Sequence, residues 1–217
     1  KPVATRFYQR VSLDGVRDAL SRVSTANVSD ALHRRGWVSG IVPVVPGARA
    51  VGPAVTVRTY PGDWAKPVEA VDLAEPGSVI VVDAGGVPPA VWGELATNSA
   101  VARKIAGVVI HGGIRDSTEI RKLGFPAYAS LICPAAGEPK GFGEINVPVR
   151  FGGQEISPGD WLVCDDDGVV VIPGESVVET ANRSMDVLER ENRLRHEIEA
   201  GGTLAKVAEL LKWEKPH

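Results

Sequence analysis

Sulfur and aromatic side chains are scarce in this chain, which has two cysteines, one methionine and only 6% Phe, Trp and Tyr. Cys133 and Cys164 are too few and too far apart for a thiolate metal motif, and a lone pair builds no secreted disulfide framework. The expectation is two reduced, half-buried cysteines in a soluble cytoplasmic protein. No apolar run approaches the roughly 20 residues of a membrane span. The opening KPVATRFYQRVSLDGV has no apolar stretch of the signal-peptide kind. Excess charge is missing too: 24 Lys and Arg face 27 Asp and Glu, a net charge of −3. That balance gives no electrostatic footprint for a nucleic acid. Neither nucleic acid nor membrane is expected as a partner. Without repeats, low-complexity tracts or an obvious linker, the 217 residues read as one domain. At 44% hydrophobic it has enough apolar residues to bury a core.

What is present alternates. Val16, Leu20 and Val23 line a first helix; a second begins at Ser24-Thr25, whose hydroxyls suit a cap, and runs towards Gly36. AVTVRTY alternates as a strand does, and SVIVVDAGG is a continuous apolar run closed by glycines, as buried strands are. A short helix, KPVEAVDLA, lies between them. Helix GELATNSAVARKIA, strand GVVIHGG, helix STEIRKLG and strand FPAYAS follow, and this order predicts an α/β core with parallel elements. INVPVRFGGQEI and DWLVCDDDGVVVIP read as β-structure, with Asp167-Gly168 as the strongest hairpin signal. A charged helix over roughly 174–200 and a last short helix, TLAKVAELLKW, close the chain.

Candidate chemistry gathers around GVVIHGGIRDSTEIR. Alone, Asp116 reads equally as the N-cap of the helix STEIRKLG. Its place favours function, because ligands of open α/β sheets gather beyond the carboxyl ends of strands. Gly112-Gly113 permits close approach. The Arg115 guanidinium suits a carboxylate or developing oxyanion, and the Asp116 carboxylate suits a hard divalent cation. Upstream, Gly93-Glu94-Leu95-Ala96 opens a helix whose free amides form an anion site. Twenty residues separate Glu94 from Arg115, the length of one helix and one strand. Glu94 and Asp116 can therefore face each other across a metal, although an acid in a helix's first turn is favourable without one. Other motifs fare worse. Asp165–Asp167 before Gly168 reads as a hairpin turn rather than a calcium loop, and VDAGG lacks the spacing of a nucleotide loop. His111 reads as a core or supporting histidine. Lys104 and Lys122, among other charges, do not recommend themselves as Schiff-base lysines.

STANVSDALHRRG, VVPGARAVGPAVTVRTYPGDW, GELATNSAVARKIAGVVIHGGIRDSTEIRKLGFPAYA and PGDWLVCDDDGVVVIP occur in an order that resembles one family. That family unites 4-hydroxy-4-methyl-2-oxoglutarate aldolases with regulators of ribonuclease E activity (RraA-like). The likeness covers roughly residues 20–205. It implies an α/β, three-layer β/β/α swivelling-domain fold, with homotrimers or homohexamers and the site at a subunit interface. The segment 174–217 would be a C-terminal helical extension packing on a neighbouring subunit. The implied activity is a class II-type pyruvate aldolase dependent on Mg²⁺ or Mn²⁺, with oxaloacetate decarboxylation as a side reaction. Asp116 would ligate the metal directly and Glu94 through water. Arg115 would bind the 2-oxo acid, with the backbone of Gly93, Leu95 and Ala96 at its carboxylate. A further acid would come from a neighbour's C-terminal helix. Glu191 is the best match, and Glu189, Glu197 and Glu199 share its helix. The alternative is a non-catalytic regulator that binds ribonuclease E or an RNA helicase.

Overall fold

The structure, a computed structural model, describes residues 9–207. Helices α1 (Val16–Arg22) and α2 (Thr25–Ala31) precede strands β1 (Val42–Pro43) and β2 (Ala50–Arg58). Helix α3 (Ala65–Leu73) leads to β3 (Val79–Asp83) and β4 (Ala90–Trp92), and α4 (Glu94–Ala102) leads to β5 (Gly107–Ile114). Helix α5 (Ser117–Leu123) leads to β6 (Ala127–Ile132). Five strands follow: β7 (Glu144–Ile145), β8 (Val149–Phe151), β9 (Gln154–Ile156), β10 (Trp161–Asp165) and β11 (Gly168–Ile172). The long helix α6 (Val177–Glu199) comes after them, and a helical turn resumes at 204–207. The remainder of the expected last helix lies outside the described residues.

Local chemistry sets these limits. Ser24 Oγ accepts the Asn27 amide at 3.1 Å while Asn27 Oδ1 accepts the Ser24 amide at 3.1 Å, a capping box that starts α2 where the hydroxyls predicted. The helix stops at Ala31 rather than running on towards Gly36, because His33 and Arg34 turn to positive φ. Helix α4 likewise ends before Lys104, which is also left-handed. Strand β2 starts earlier than AVTVRTY. Its first half pairs with β10 and its second half with β3, and Pro53 sits where the partner changes. A proline's missing N–H does least harm at such a point.

The main sheet runs β1-β6-β5-β3-β2-β10-β11, with β4 added to β5 and β7 to β2. Strands β6, β5, β3 and β2 run parallel to one another, and β1 and β10 join the two ends of this group antiparallel. Side chains alternate between its faces. Ile80, Val82, Val108 and Ile110 pack against α3, α4 and α5. Val79, Val81 and Val109 face the opposite way, against Leu162, Cys164, Val169 and Val171 of β10–β11 and Phe151 and Ile156 of the β8–β9 hairpin. These layers form the expected β/β/α arrangement. A further helical layer of α1, α2 and α6 backs β10–β11 through Val163, Val170 and Ile172. Fully burying one such valine stabilises the fold by about 1.5–3 kcal/mol.

One short segment nearly closes the sheet into a barrel. Trp37 bridges Val170 of β11, and the Val38 amide donates to Val169 O at 2.9 Å. A few residues later Val42 and Pro43 pair with β6 at the other end. Inside, Cys164 is fully buried rather than half-buried, and burial pushes its thiol well above the ordinary range. Asp165–Asp167 forms a hairpin turn: Asp165 pairs with Gly168, and its carboxylate accepts Thr25 N and Oγ1 at the start of α2. Helix α6 gives Val177, Ala181 and Met185 to the chain's own core, and beyond Val187 none of its residues is buried. Among the described residues no helix is long and apolar enough to cross a membrane.

Candidate active site

Strand β5 ends at Ile114, and the Arg115 amide donates to Trp92 O at 3.0 Å, extending the β4–β5 pairing. The chain then turns sharply. Asp116 adopts φ 57° and ψ 33°, a left-handed conformation that disfavours most side chains by roughly 1–2 kcal/mol. It occupies the N-cap position of α5, yet its side chain makes no hydrogen bond to that helix. Asp116 Oδ2 instead accepts the Glu94 amide at 3.1 Å and lies 3.5 Å from Arg115 Nε. The aspartate thus caps α4, the neighbouring helix. Gly93 permits this approach, because a Cβ there would stand 2.6 Å from Asp116 Oδ2.

Around this junction lies a cavity of about 200 Å³, with Trp64, Trp92, Glu94, Leu95, Arg115 and Asp116 in its wall. Gly93 and Ala96 belong to the same wall. The indole of Trp92 is fixed by donation from Nε1 to Thr97 Oγ1 at 2.9 Å. Glu94 accepts from Asn98 Nδ2 one turn along α4. The structure therefore brings together Gly93, Glu94, Leu95, Ala96, Arg115 and Asp116, drawn from two sequence segments. A guanidinium and a helix N-terminus favour anions, while the two carboxylates offer hard oxygens to a cation.

That donor set can be tested against a divalent metal. Among the described residues no third His, Cys, Asp or Glu gathers to form a metal cluster. Two carboxylates suit Mg²⁺ or Mn²⁺, hard cations that keep much of their shell as water or substrate oxygen. They do not suit a closed tetrahedral zinc site. Asp116 and Glu94 are the residues that would hold such an ion.

Two loops without motif character complete the surroundings. Asp63, buried, accepts Phe142 N through Oδ2 at 2.9 Å, and through Oδ1 accepts Lys140 N at 3.1 Å, Ala65 N at 3.2 Å and Gly141 N at 3.3 Å. Burial works to raise this carboxyl, but the amides of Phe142, Ala65, Gly141 and Lys140 hold it below the ordinary carboxylate range. Trp64 Nε1 donates to Gly137 O at 3.1 Å. From sequence alone the loops around Asp63-Trp64 and Ala135–Gly143 are expected to set specificity, but no role falls to either residue. Of the partners that these two side chains hydrogen-bond, all but the Ala65 amide lie more than seventy residues away. His111 takes another face: its Nδ1 hydrogen-bonds Asp83 Oδ1 at 2.8 Å, and its ring stacks on Phe151 at 4.9 Å.

The family model described as Aldolase/RraA (RraA-like) matches residues 25–171, about two thirds of the chain. The chain belongs to the RraA-like family. This RraA-like chain is 37% identical over 194 residues to an uncharacterized protein of Methanocaldococcus jannaschii, covering 88% of the chain and 92% of that protein. It is 39% identical over 166 residues to a Halalkalibacterium halodurans protein provisionally named 4-hydroxy-4-methyl-2-oxoglutarate aldolase, covering 74% and 79%. The crystal structure of Streptomyces coelicolor RraAS2, described as an unusual member of the RNase ES inhibitor RraA protein family, superposes with a TM-score of 0.75. There the identity is 30%, with 87% of the chain and all of that protein covered.

Glu94, Arg115 and Asp116 fall within the RraA-like span; Glu191, on α6, lies beyond it. Within one chain the structure does not bring Glu191 to the cavity. Helix α6 packs on α1 and α2, and Glu191 Oε2 accepts Asn27 Nδ2 at 2.8 Å, extending the capping box of α2.

Proposed function

We propose that the protein is a lyase dependent on Mg²⁺ or Mn²⁺. It would cleave 4-hydroxy-4-methyl-2-oxoglutarate or a related 4-hydroxy-2-oxo acid to release pyruvate, and decarboxylate oxaloacetate as a side reaction. One observation carries this reading: the left-handed Asp116 directs its carboxylate away from its own helix and onto the mouth of α4, beside Arg115 and Glu94. A residue that served only as a cap would need neither the strained backbone nor the neighbouring guanidinium. The aldolase name on the relative from Halalkalibacterium halodurans supports the reaction class.

In the reaction, the amides of Leu95 and Ala96 bind the substrate carboxylate at the α4 N-terminus. The guanidinium of Arg115 holds the 2-oxo oxygen and stabilises the negative charge that develops there as the C3–C4 bond breaks. Asp116 and Glu94 would hold the divalent ion, which would supply Lewis-acid polarisation of the 2-oxo group. A carboxylate accepts the 4-hydroxyl proton, and a proton is then delivered to the enolate carbon to give pyruvate. Glu94, in the cavity wall, would make that exchange, and Glu191 of a neighbouring copy would complete it in a trimer or hexamer. The outer half of α6, charged with both signs and without buried residues, is available for such a contact.

A coupled assay of pyruvate formation across a panel of 4-hydroxy-2-oxo acids and oxaloacetate tests the reading. Turnover abolished by EDTA and restored by Mg²⁺ or Mn²⁺ is the expected result. The second reading, a regulator that binds a ribonuclease or RNA helicase, rests on the likeness to RraAS2. Co-purification of such an enzyme, with no pyruvate from any substrate, would favour it instead.

A further inference from the structure

The cavity at Arg115 has a larger neighbour of about 610 Å³, lined by Tyr60, Pro61, Pro89, Lys140 and Phe142 among others. The two stand back to back. Three chain segments divide between them: Asp63, Pro89 and Gly137 line the larger cavity, while the adjoining Trp64, Ala90 and Ala136 line the smaller. Of these six, only Trp64 has a side chain long enough to form a wall by itself. Its indole reaches across the boundary to Gly137 O, 3.1 Å from Nε1. Both ends of that wall are anchored. Asp63, the residue before it, is fixed by four amides, two of them from Lys140 and Phe142 in the lining of the larger cavity. At the far end Gly62 and Gly137 meet backbone to backbone, since a Cβ on Gly137 would lie 2.2 Å from Gly62 O.

We propose that Trp64 is a specificity-determining residue: its indole is a fixed partition that confines substrates to the small cavity and excludes 2-oxo acids with long apolar tails. About 200 Å³ is less than the roughly 300–1,000 Å³ of pockets for drug-sized ligands, so a small metabolite is the matching occupant. The space beyond the partition is of a different kind. Tyr60 and Phe142 meet edge-on there, their ring centroids 6.1 Å apart, beside two prolines. An aliphatic tail would find apolar surface in it if the partition were removed. The inference rests on the 2-oxo-acid reading of the Arg115 cavity and adds a length limit to it.

Calorimetric binding of pyruvate, 2-oxobutanoate, 2-oxohexanoate and 2-oxooctanoate, with Mg²⁺ present, tests both separately. In the parent protein affinity should fall at least tenfold from pyruvate to 2-oxooctanoate. In Trp64→Ala the ratio should contract by at least tenfold, whereas Trp64→Phe, which keeps aromatic bulk, should retain most of the discrimination. A flat profile in the parent, or a Trp64→Ala profile identical to the parent's, overturns the partition. Parent protein that binds no pyruvate overturns the 2-oxo-acid reading, and the length limit with it. Should Trp64→Ala melt too low to assay, Trp64→Leu carries the same comparison.

Discussion

Asp116 shows how one dihedral angle can separate a structural residue from a candidate catalytic one. At φ 57° its carboxylate leaves its own helix and meets the amide of Glu94. Asparagine tolerates the left-handed region nearly as well as aspartate does. Asp116→Asn should therefore stay within about 0.5 kcal/mol of the parent in denaturant titration. Its metal-dependent pyruvate release should drop by about 10²-fold or more. Asp116→Val, β-branched, should instead lose stability by roughly 1–2 kcal/mol, because its side chain opposes the same backbone. Asp63 makes a different prediction. Its carboxyl lies below the ordinary carboxylate range, so the stability it contributes is fully present above about pH 4 and is lost as pH falls through the depressed value. Asp63→Asn turns an NH₂ towards backbone donors and should destabilise by about 1–3 kcal/mol. Its melting temperature should fall less steeply between pH 5 and pH 3 than the parent's. Equal acid sensitivity in the two proteins would contradict the role assigned to this carboxylate.

At the scale of elements, α6 carries two roles that one substitution separates. Glu191 ties α6 to α2 through Asn27 within the chain, and by proposal serves the cavity of a neighbouring copy. Glu191→Gln keeps an oxygen for Asn27 Nδ2 but removes the charge. Melting should be nearly unchanged while kcat falls by about 10²-fold, the low end of what a positioned proton-transfer group contributes. Unchanged kcat would leave Glu191 as a structural tie alone. Elements of this kind were legible in the sequence to the extent that their cause is local. The Ser24 cap, the apolar run of β3, the 165–168 hairpin and the Glu94-to-Arg115 spacing depend on residues near one another, and each was read from them. The early ends of α2 and α4 were missed because left-handed His33, Arg34 and Lys104 are not turn residues by type. The first half of β2 was hidden by Pro53, which is tolerated only because the strand changes partner there.

Across the whole molecule, what the sequence could not show is what distant segments do to one another. Nothing in residues 37–43 announces that they join both ends of the sheet, since their partners, β11 and β6, lie roughly a hundred residues away. The loops at Asp63-Trp64 and Ala135–Gly143 can be expected to set specificity, but that they hold one another shows only once the 136–142 loop is placed against Asp63 and Trp64. The spacing of Glu94, Arg115 and Asp116 was legible because a helix–strand unit has a nearly fixed length, so sequence distance maps to spatial return. The central claim is that these three residues form one site for a divalent cation and a 2-oxo acid. Titration of Mn²⁺ by electron paramagnetic resonance, with and without pyruvate, tests it most directly. The expected result is one Mn²⁺ per chain, bound more tightly with pyruvate present and lost in Asp116→Asn, since two ligands sharing a site must tighten each other reciprocally. Mn²⁺ binding that ignores both pyruvate and the Asp116→Asn substitution would contradict it.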